Sequence, residues 1–374
     1  MEITVDRDLL ADAVCWTARA LPARPVSPVL ACMRLDAGSG LTLSAFDYEV
    51  SARATLPVTD AGEGTALVSG RLLAEIVRSL PTRPAELATD GARMTLRCGT
   101  AMFTLLLLPD GDYPSLPDMP PLAGTAGSDT FAAAAGQVAV AAGKDGTLPA
   151  LTGVRIEIDG DRLTLVATDR YRLAIRELRW NPVQPGMATT ILVPARVLLD
   201  ATRAATTAAE VSISLATPET GGSDGLAGFE AAGRRTTVRL LGGEFPRYRA
   251  LVPSEFSGVA EVPVEPFAEA VKRVALVAER NTPIRLTFRD GGIQLEAGTG
   301  DEAQATESLE AGFTGEDGFQ IAFNPHYLLD GLGAISSDMA RIAVTDPAKP
   351  AVITGKAEGD PEYRYLLMPI RLAG

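Results

Sequence analysis

His326 is the only histidine in the 374 residues, so a Ser-His-Asp relay, a His-rich metal site or a His general base would have to be built on that one side chain. Carboxylates are plentiful, yet none stands in a paired or metal-binding motif, and Gly221-Gly222-Ser223-Asp224-Gly225 lacks the Lys-Ser/Thr ending of a phosphate loop. Asp47 and Asp169 hold matching places in two similar segments, where an Asx-type turn former is expected. The remaining candidate chemistry is basic. Arg71 and Arg78 lie seven residues apart, about two helical turns, and so share a face; Arg196 and Arg203 repeat the spacing. Such a stripe can contact phosphates, or it can be a solvated face with ion pairs to Glu75 and Asp200 four residues on. Arg24, Arg83, Lys144, Lys272, Arg273 and Arg280 are further candidates for the same surface. No catalytic residue, cofactor or metal site is expected.

These arginines follow a pattern that occurs three times, about 125 to 130 residues apart. Val68 to Glu75, Val193 to Asp200 and Phe323 to Asp330 each run from an apolar strand end through a small or Pro turn to a helix start, an aliphatic pair and an acid. In the third copy His326 and Gly333 take the arginine places. Upstream, Leu41 to Arg53 corresponds to Leu163 to Arg176 and more weakly to Ile293 to Ala305. Amphipathic segments open the units near Asp6 to Leu21, Asp129 to Gly143 and Val264 to Arg280. A repeat this long is a whole domain. Each unit reads as helix, strands, helix, strands, an α+β domain with its helices on one sheet face. Pro117 to Ser128 and Val252 to Val262 are the expected linkers, and Thr217 to Gly228 a hairpin loop; the expected domains are residues 1–120, 129–253 and 259–374.

Three cysteines, Cys15, Cys32 and Cys98, do not make a disulfide framework and suit a reducing compartment. No leader and no apolar run of membrane-spanning length is visible, so a cytoplasmic protein without membrane contact is expected. The formal charge of -13 argues against nucleic acid unless the basic residues are gathered on one surface.

The triplicated layout, Thr168-Asp169-Arg170-Tyr171-Arg172-Leu173-Ala174, Phe245-Pro246-Arg247-Tyr248-Arg249 and the terminal Tyr365-Leu366-Leu367-Met368-Pro369-Ile370-Arg371-Leu372 resemble the bacterial DNA polymerase III beta subunit, the beta sliding clamps, in actinomycete-like wording. The resemblance covers essentially the whole chain. It implies a non-catalytic processivity factor: a head-to-tail homodimer forming a six-domain ring, with helices lining a hole and antiparallel sheets outside. Basic side chains then line the hole while the acidic excess faces outward. By the resemblance Arg24, Arg71, Arg78, Lys144, Arg196 and Arg203 approach double-stranded DNA, without sequence preference. Leu148, Pro149 and Ala150 replace more polar family residues beyond Lys144.

The resemblance also implies an apolar pocket for short peptides of the polymerase III alpha subunit, the clamp loader and other clamp-binding-motif proteins, or for peptide antibiotics. Its walls carry over to Leu151, Thr168, Arg172, Leu173, Pro246, Leu251 and Tyr327, with Leu366, Leu367, Met368 and Pro369 from the terminal run. Ile370 and Arg371 fall at the rim; Arg170, Tyr171 and Ala250 depart from common family residues. The dimer seam carries over to Ile76, Leu80 and Phe103 against Leu276 and Val277, with Asp301, Glu302 and Glu307 as acidic partners and Met102 where the family offers an Arg. Other readings are a second clamp copy serving repair or tolerance of a clamp-binding peptide antibiotic, and a non-catalytic carbohydrate- or peptide-binding repeat protein.

Overall fold

The structure is a computed structural model, and it describes residues 1–205, 208–216, 225–278, 282–298, 303–356, 359 and 361–371. Among them are six α-helices: α1 (Arg7–Thr17), α2 (Gly70–Ser79), α3 (Ser128–Ala139), α4 (Ala195–Ala205), α5 (Val264–Val274) and α6 (Pro325–Gly333). They are the helix pairs of the three repeats. Asp6 caps α1 by accepting from the amides of Asp8 and Leu9 at 2.9 and 3.0 Å. Asn324 does the same for His326 and Tyr327 of α6, and Pro325 takes the first helical position, where its missing N–H costs nothing.

Contacts divide the chain into two compact units: Met1–Ala132 with Trp180–Pro185 and Val197–Leu240, and Ala133–Arg179 with Gly186–Arg196 and Leu241–Gly374. The middle repeat is therefore shared between them. In the first unit, α1 and α2 bury Leu10, Val14, Leu73 and Val77 in one core with Ile3, Leu35, Leu43, Leu87 and Leu96 from the strands. Each fully buried leucine contributes about 2 kcal/mol.

The first unit holds a nine-stranded antiparallel sheet ordered Asn181–Pro182, Leu122–Gly127, Glu210–Ala216, Leu226–Ala231, Arg234–Arg239, Val50–Leu56, Leu41–Phe46, Cys32–Ala37, Gly64–Ser69. Five strands come from the middle repeat and four from the first, and they meet where Arg234–Arg239 pairs with Val50–Leu56. The second unit's nine-stranded sheet joins four middle-repeat strands to five of the third, where Arg172–Arg179 pairs with Tyr363–Leu367. Two smaller sheets remain. The five-stranded one ends at Ala101–Leu106, and the four-stranded one ends at Ala305–Glu310.

Asp47 accepts from the amides of Glu49 and Val50 at 3.0 and 2.7 Å and turns the chain into a hairpin, in the manner of an Asx turn. Two expectations from sequence need correcting. Of the Pro117 to Ser128 stretch, Leu122–Gly127 is a strand of the middle repeat. Its glycine is a packing requirement, since a Cβ on Gly124 would lie 2.6 Å from the Trp180 ring. Likewise Gly258–Pro263 is a strand, leaving a shorter second linker.

Helix α6 abuts the seam strand through a glycine. A Cβ at Gly331 would come within 2.4 Å of the Tyr365 ring, whereas one at Gly333 would meet nothing within 4 Å. Gly331→Ala is expected to cost about 1–3 kcal/mol; Gly333→Ala should stabilise by about 0.5 kcal/mol or more. Thermal unfolding of the two variants checks this, and equal melting temperatures would refute the packing assignment.

Candidate partner pocket and nucleic-acid interface

The seam in the second unit begins at a turn built by two short polar side chains. Thr168 Oγ1 donates to the Arg172 carbonyl at 2.7 Å and accepts from the Arg170 amide at 3.1 Å. Asp169 Oδ1 accepts from the amides of Tyr171 and Arg172 at 3.0 and 3.1 Å, an Asx turn as expected. Arg170 adopts a φ of 78°, and Tyr48, at the matching place of the first repeat, a φ of 73°.

Arg172 is 5% exposed. Its guanidinium meets Asp169 Oδ2 at 2.9 Å and Asp330 Oδ2 at 2.5 Å, and lies 4.3 Å from the Tyr327 ring centre. Burial works against its charge, but Asp330, Tyr365 and Asp169 outweigh it and hold its pKa above the ordinary arginine value. Tyr365, whose own pKa burial raises, donates its hydroxyl to the Tyr327 carbonyl at 2.8 Å. A buried cation is thus fully partnered, tying the middle repeat's strand to α6.

Beside this tie lies a cavity of about 170 Å³ lined by Thr168, Arg170, Arg172, Leu173, Pro246, Leu251, Pro350, Leu366 and Met368. Eight of these nine were expected from sequence; Pro350 was not. Strand alternation sends Leu367 to the opposite face, fully buried. Leu151 is also buried, its carbonyl accepting from Gly143 at 2.7 Å under the Lys144 loop. Tyr171 stacks on Tyr327 at 6.2 Å, outside the lining. Ala250, Pro369, Ile370 and Arg371 do not line the cavity either; Ile370 is tied back to the Ala322 carbonyl at 2.8 Å.

The expected phosphate-contacting residues Arg24, Arg71, Arg78, Lys144, Arg196 and Arg203 are all exposed. In the first unit Arg71 donates to the Pro22 carbonyl at 2.8 Å, and Arg78 lies 3.2 Å from the Cys15 sulfur. Both guanidiniums are thereby laid along α1 and its following loop. The i,i+4 pair of Arg71 with Glu75 does not form, and Glu75 is exposed with no ion pair among the described residues. Its counterparts reach across repeats. Asp200 meets Arg19 at 2.8 Å, as well as Arg203 at 3.7 Å, and Asp330 meets Arg172.

Of the expected seam residues, Ile76 and Leu80 already belong to their own core. Phe103 and Val277 are half-buried, and Leu276 is 84% exposed. Glu307 is held by Arg273 of the same chain at 2.6 Å, which lowers its pKa. Asp301 and Glu302 lie outside the described residues, as does Arg280.

Three helix-backed repeats whose sheets join edge to edge define a DNA-clamp protein, and the comparisons name its family. Models of the DNA polymerase III beta subunit N-terminal, central and C-terminal domains match residues 1–117, 125–247 and 249–371. The beta sliding clamp of Streptomyces coelicolor is 54% identical over the full length of both chains, and the beta sliding clamp homolog GriR of Streptomyces muensis is 42% identical over 99% of each. The Pseudomonas aeruginosa sliding clamp bound to griselimycin superposes with a TM-score of 0.89 at 26% identity over the whole of both chains. The chain belongs to the DNA polymerase III beta subunit family, the beta sliding clamps, and is a non-catalytic DNA polymerase processivity factor. The carbohydrate-binding alternative is set aside.

Arg172→Met would leave Asp169 without its buried cation and Tyr327 without its stacked guanidinium, and should destabilise by about 3 kcal/mol. Asp330→Asn, at a side chain about half exposed, should cost about 1 kcal/mol or less. Denaturant titration of both variants measures the difference; equal losses would mean that Asp330, not Asp169, carries the tie.

Proposed function

We propose that two copies join head to tail into a closed ring that encircles duplex DNA without sequence preference and holds polymerase and other partners by short peptides. The observation that carries this is the sheet count. Each seam within the chain joins a five-strand group to a four-strand group, and the two groups left over are again a five and a four.

The repeats also supply a register. Leu56, Leu178 and Leu309 are equivalent, standing opposite Leu41, Leu163 and Ile293 in their hairpins. Ala101 and Arg234 are equivalent at the start of their strands. The pairs Arg53 with Arg235 and Ile175 with Arg364 then correspond to Thr306 with Met102. Phe103 falls opposite Ala305, both half-buried, and Met102 opposite Thr306, both exposed. A slip of one residue would mix the two faces. Leu276, on the turn after α5, supplies apolar surface for the same seam.

In this ring the exposed arginines of α2 and α4, with Arg24 and Lys144, turn toward the DNA. Topology and not tight contact retains the duplex, so weak phosphate contacts are compatible with sliding. The cavity beside Leu366 and Met368, apolar with a cationic edge, suits a peptide with an apolar anchor.

The chain carrying Met102→Cys and Thr306→Cys should form a disulfide-linked dimer, because directly opposed residues of an antiparallel pair lie about 5.5 Å apart at Cα. Neither single variant should do so. Once linked on nicked circular DNA, the protein is expected to resist a high-salt wash until the DNA is cut. Failure of the double variant to link would sink the register. Release by salt from intact circles would sink encirclement.

A separate expectation concerns the basic surface. Reversing Arg24, Arg71 and Arg196 to Glu should weaken salt-sensitive binding to linear duplex more than retention on circles. Equal loss on both templates, measured by filter binding and gel filtration, would assign retention to ordinary surface contact.

A further inference from the structure

Arg170 departs from what an apolar cavity alone requires. Its backbone occupies the left-handed region, which L side chains rarely adopt, and its side chain lines the cavity mouth. A glycine there would satisfy the turn without strain. The turn is fixed by Thr168 and Asp169, so the guanidinium starts from a rigid base.

The other polar groups of the lining are already occupied. Thr168 spends its hydroxyl within the turn, and Arg172 is shared among Asp169, Asp330 and the Tyr327 ring. Among the described residues Arg170 is the one charged side chain of the lining that has no ion pair. Asp145, the acid that feels its charge, is itself engaged by the Thr147 amide at 2.9 Å. The remaining walls are Leu173, Pro246, Leu251, Pro350, Leu366 and Met368.

We propose that Arg170 is a specificity residue that selects partner peptides carrying an Asp or Glu side chain next to the apolar residue filling the cavity. The proposal rests on the partner-pocket reading above. A planar guanidinium at the edge of an apolar cavity can receive a carboxylate through two parallel hydrogen bonds, in surroundings less screened than open water. In a chain of formal charge -13, an unpaired cation at this mouth also favours acidic peptides at encounter.

The test uses the full chain and two capped peptides of about ten residues, alike in a Leu-Phe anchor and differing only in Asp or Asn beside it. Capping both ends removes terminal carboxylates as an alternative source of the charge. Calorimetry should find the Asp peptide bound about three- to tenfold more tightly than the Asn peptide. The preference should shrink as salt rises from about 0.05 M to about 0.5 M. Arg170→Gly should bind both peptides alike, near the wild-type affinity for the Asn peptide. Its melting temperature should hold or rise, because glycine takes this backbone conformation readily.

An Asp preference that persists in Arg170→Gly, or is absent from the wild type while the Asn peptide binds, overturns the role of Arg170 and leaves the pocket standing. If neither peptide binds the wild-type chain, the pocket reading fails and this proposal fails with it.

Discussion

Every repeat of this chain ends its sheets in strands whose outer N–H and C=O groups need partners, and that need organises the molecule. An uncovered edge invites indiscriminate pairing, and a buried one without hydrogen bonds is costly. The chain meets the need by lending each repeat's edge to the next. Val50–Leu56 takes Arg234–Arg239, and Arg172–Arg179 takes Tyr363–Leu367. The sheets thus run through the repeat boundaries, and the middle repeat is divided between two compact units. The same rule leaves Ala101–Leu106 and Ala305–Glu310 as sheet edges without a neighbour on one side among the described residues.

Although both seams within the chain share one backbone pattern, their side chains differ. At the first, Ser51 and Thr237 face each other as a buried hydroxyl pair 2.5 Å apart, and Arg239 donates to the Tyr48 carbonyl at 3.1 Å. At the second the matching pair is Leu173 and Leu366, and Met368 stands in the place of Arg239. Hydrogen-bonded hydroxyls close the first seam on itself. Leucines have no such mutual bond, and with Pro246, Leu251 and Pro350 they leave an apolar cavity. Duplication supplied equivalent places, and substitution gave them different side chains, apolar ones at the seam that lines the cavity.

Much of this was legible in the sequence because it repeats. The helices followed from aliphatic spacing, and Asp47 and Asp169 from their place before a β segment. The Leu122–Gly127 strand was not legible, since a run of small residues reads as linker until Trp180 is seen packing on Gly124. Facing errors had a different origin. Leu366, Leu367 and Met368 are alike in composition, and only alternation along the strand, with Leu366 set opposite Leu173, decides which of them reach the cavity. Pro350 was missed because it lies before a strand far in sequence from the other walls and carries no local signal. The acids at Glu75, Asp200 and Asp330 were visible as a repeat, but local spacing points only to partners on the same helix, such as Arg203 for Asp200. Arg19 and Arg172, which bridge to Asp200 and Asp330, are distant in sequence.

Those acids also mark the repeat boundaries. Asp200 links the first repeat to the second through Arg19, and Asp330 links the second to the third through Arg172, while Glu75 has no ion pair among the described residues. Arg19 corresponds by position in the repeat to Leu276, which is uncharged. Each boundary inside the chain thus carries an ion pair between repeats, whereas the acid of the first repeat stays exposed. Raised salt would therefore loosen the two boundaries unequally, since the cation of the Arg172 pair is buried while the Arg19 pair is open to screening.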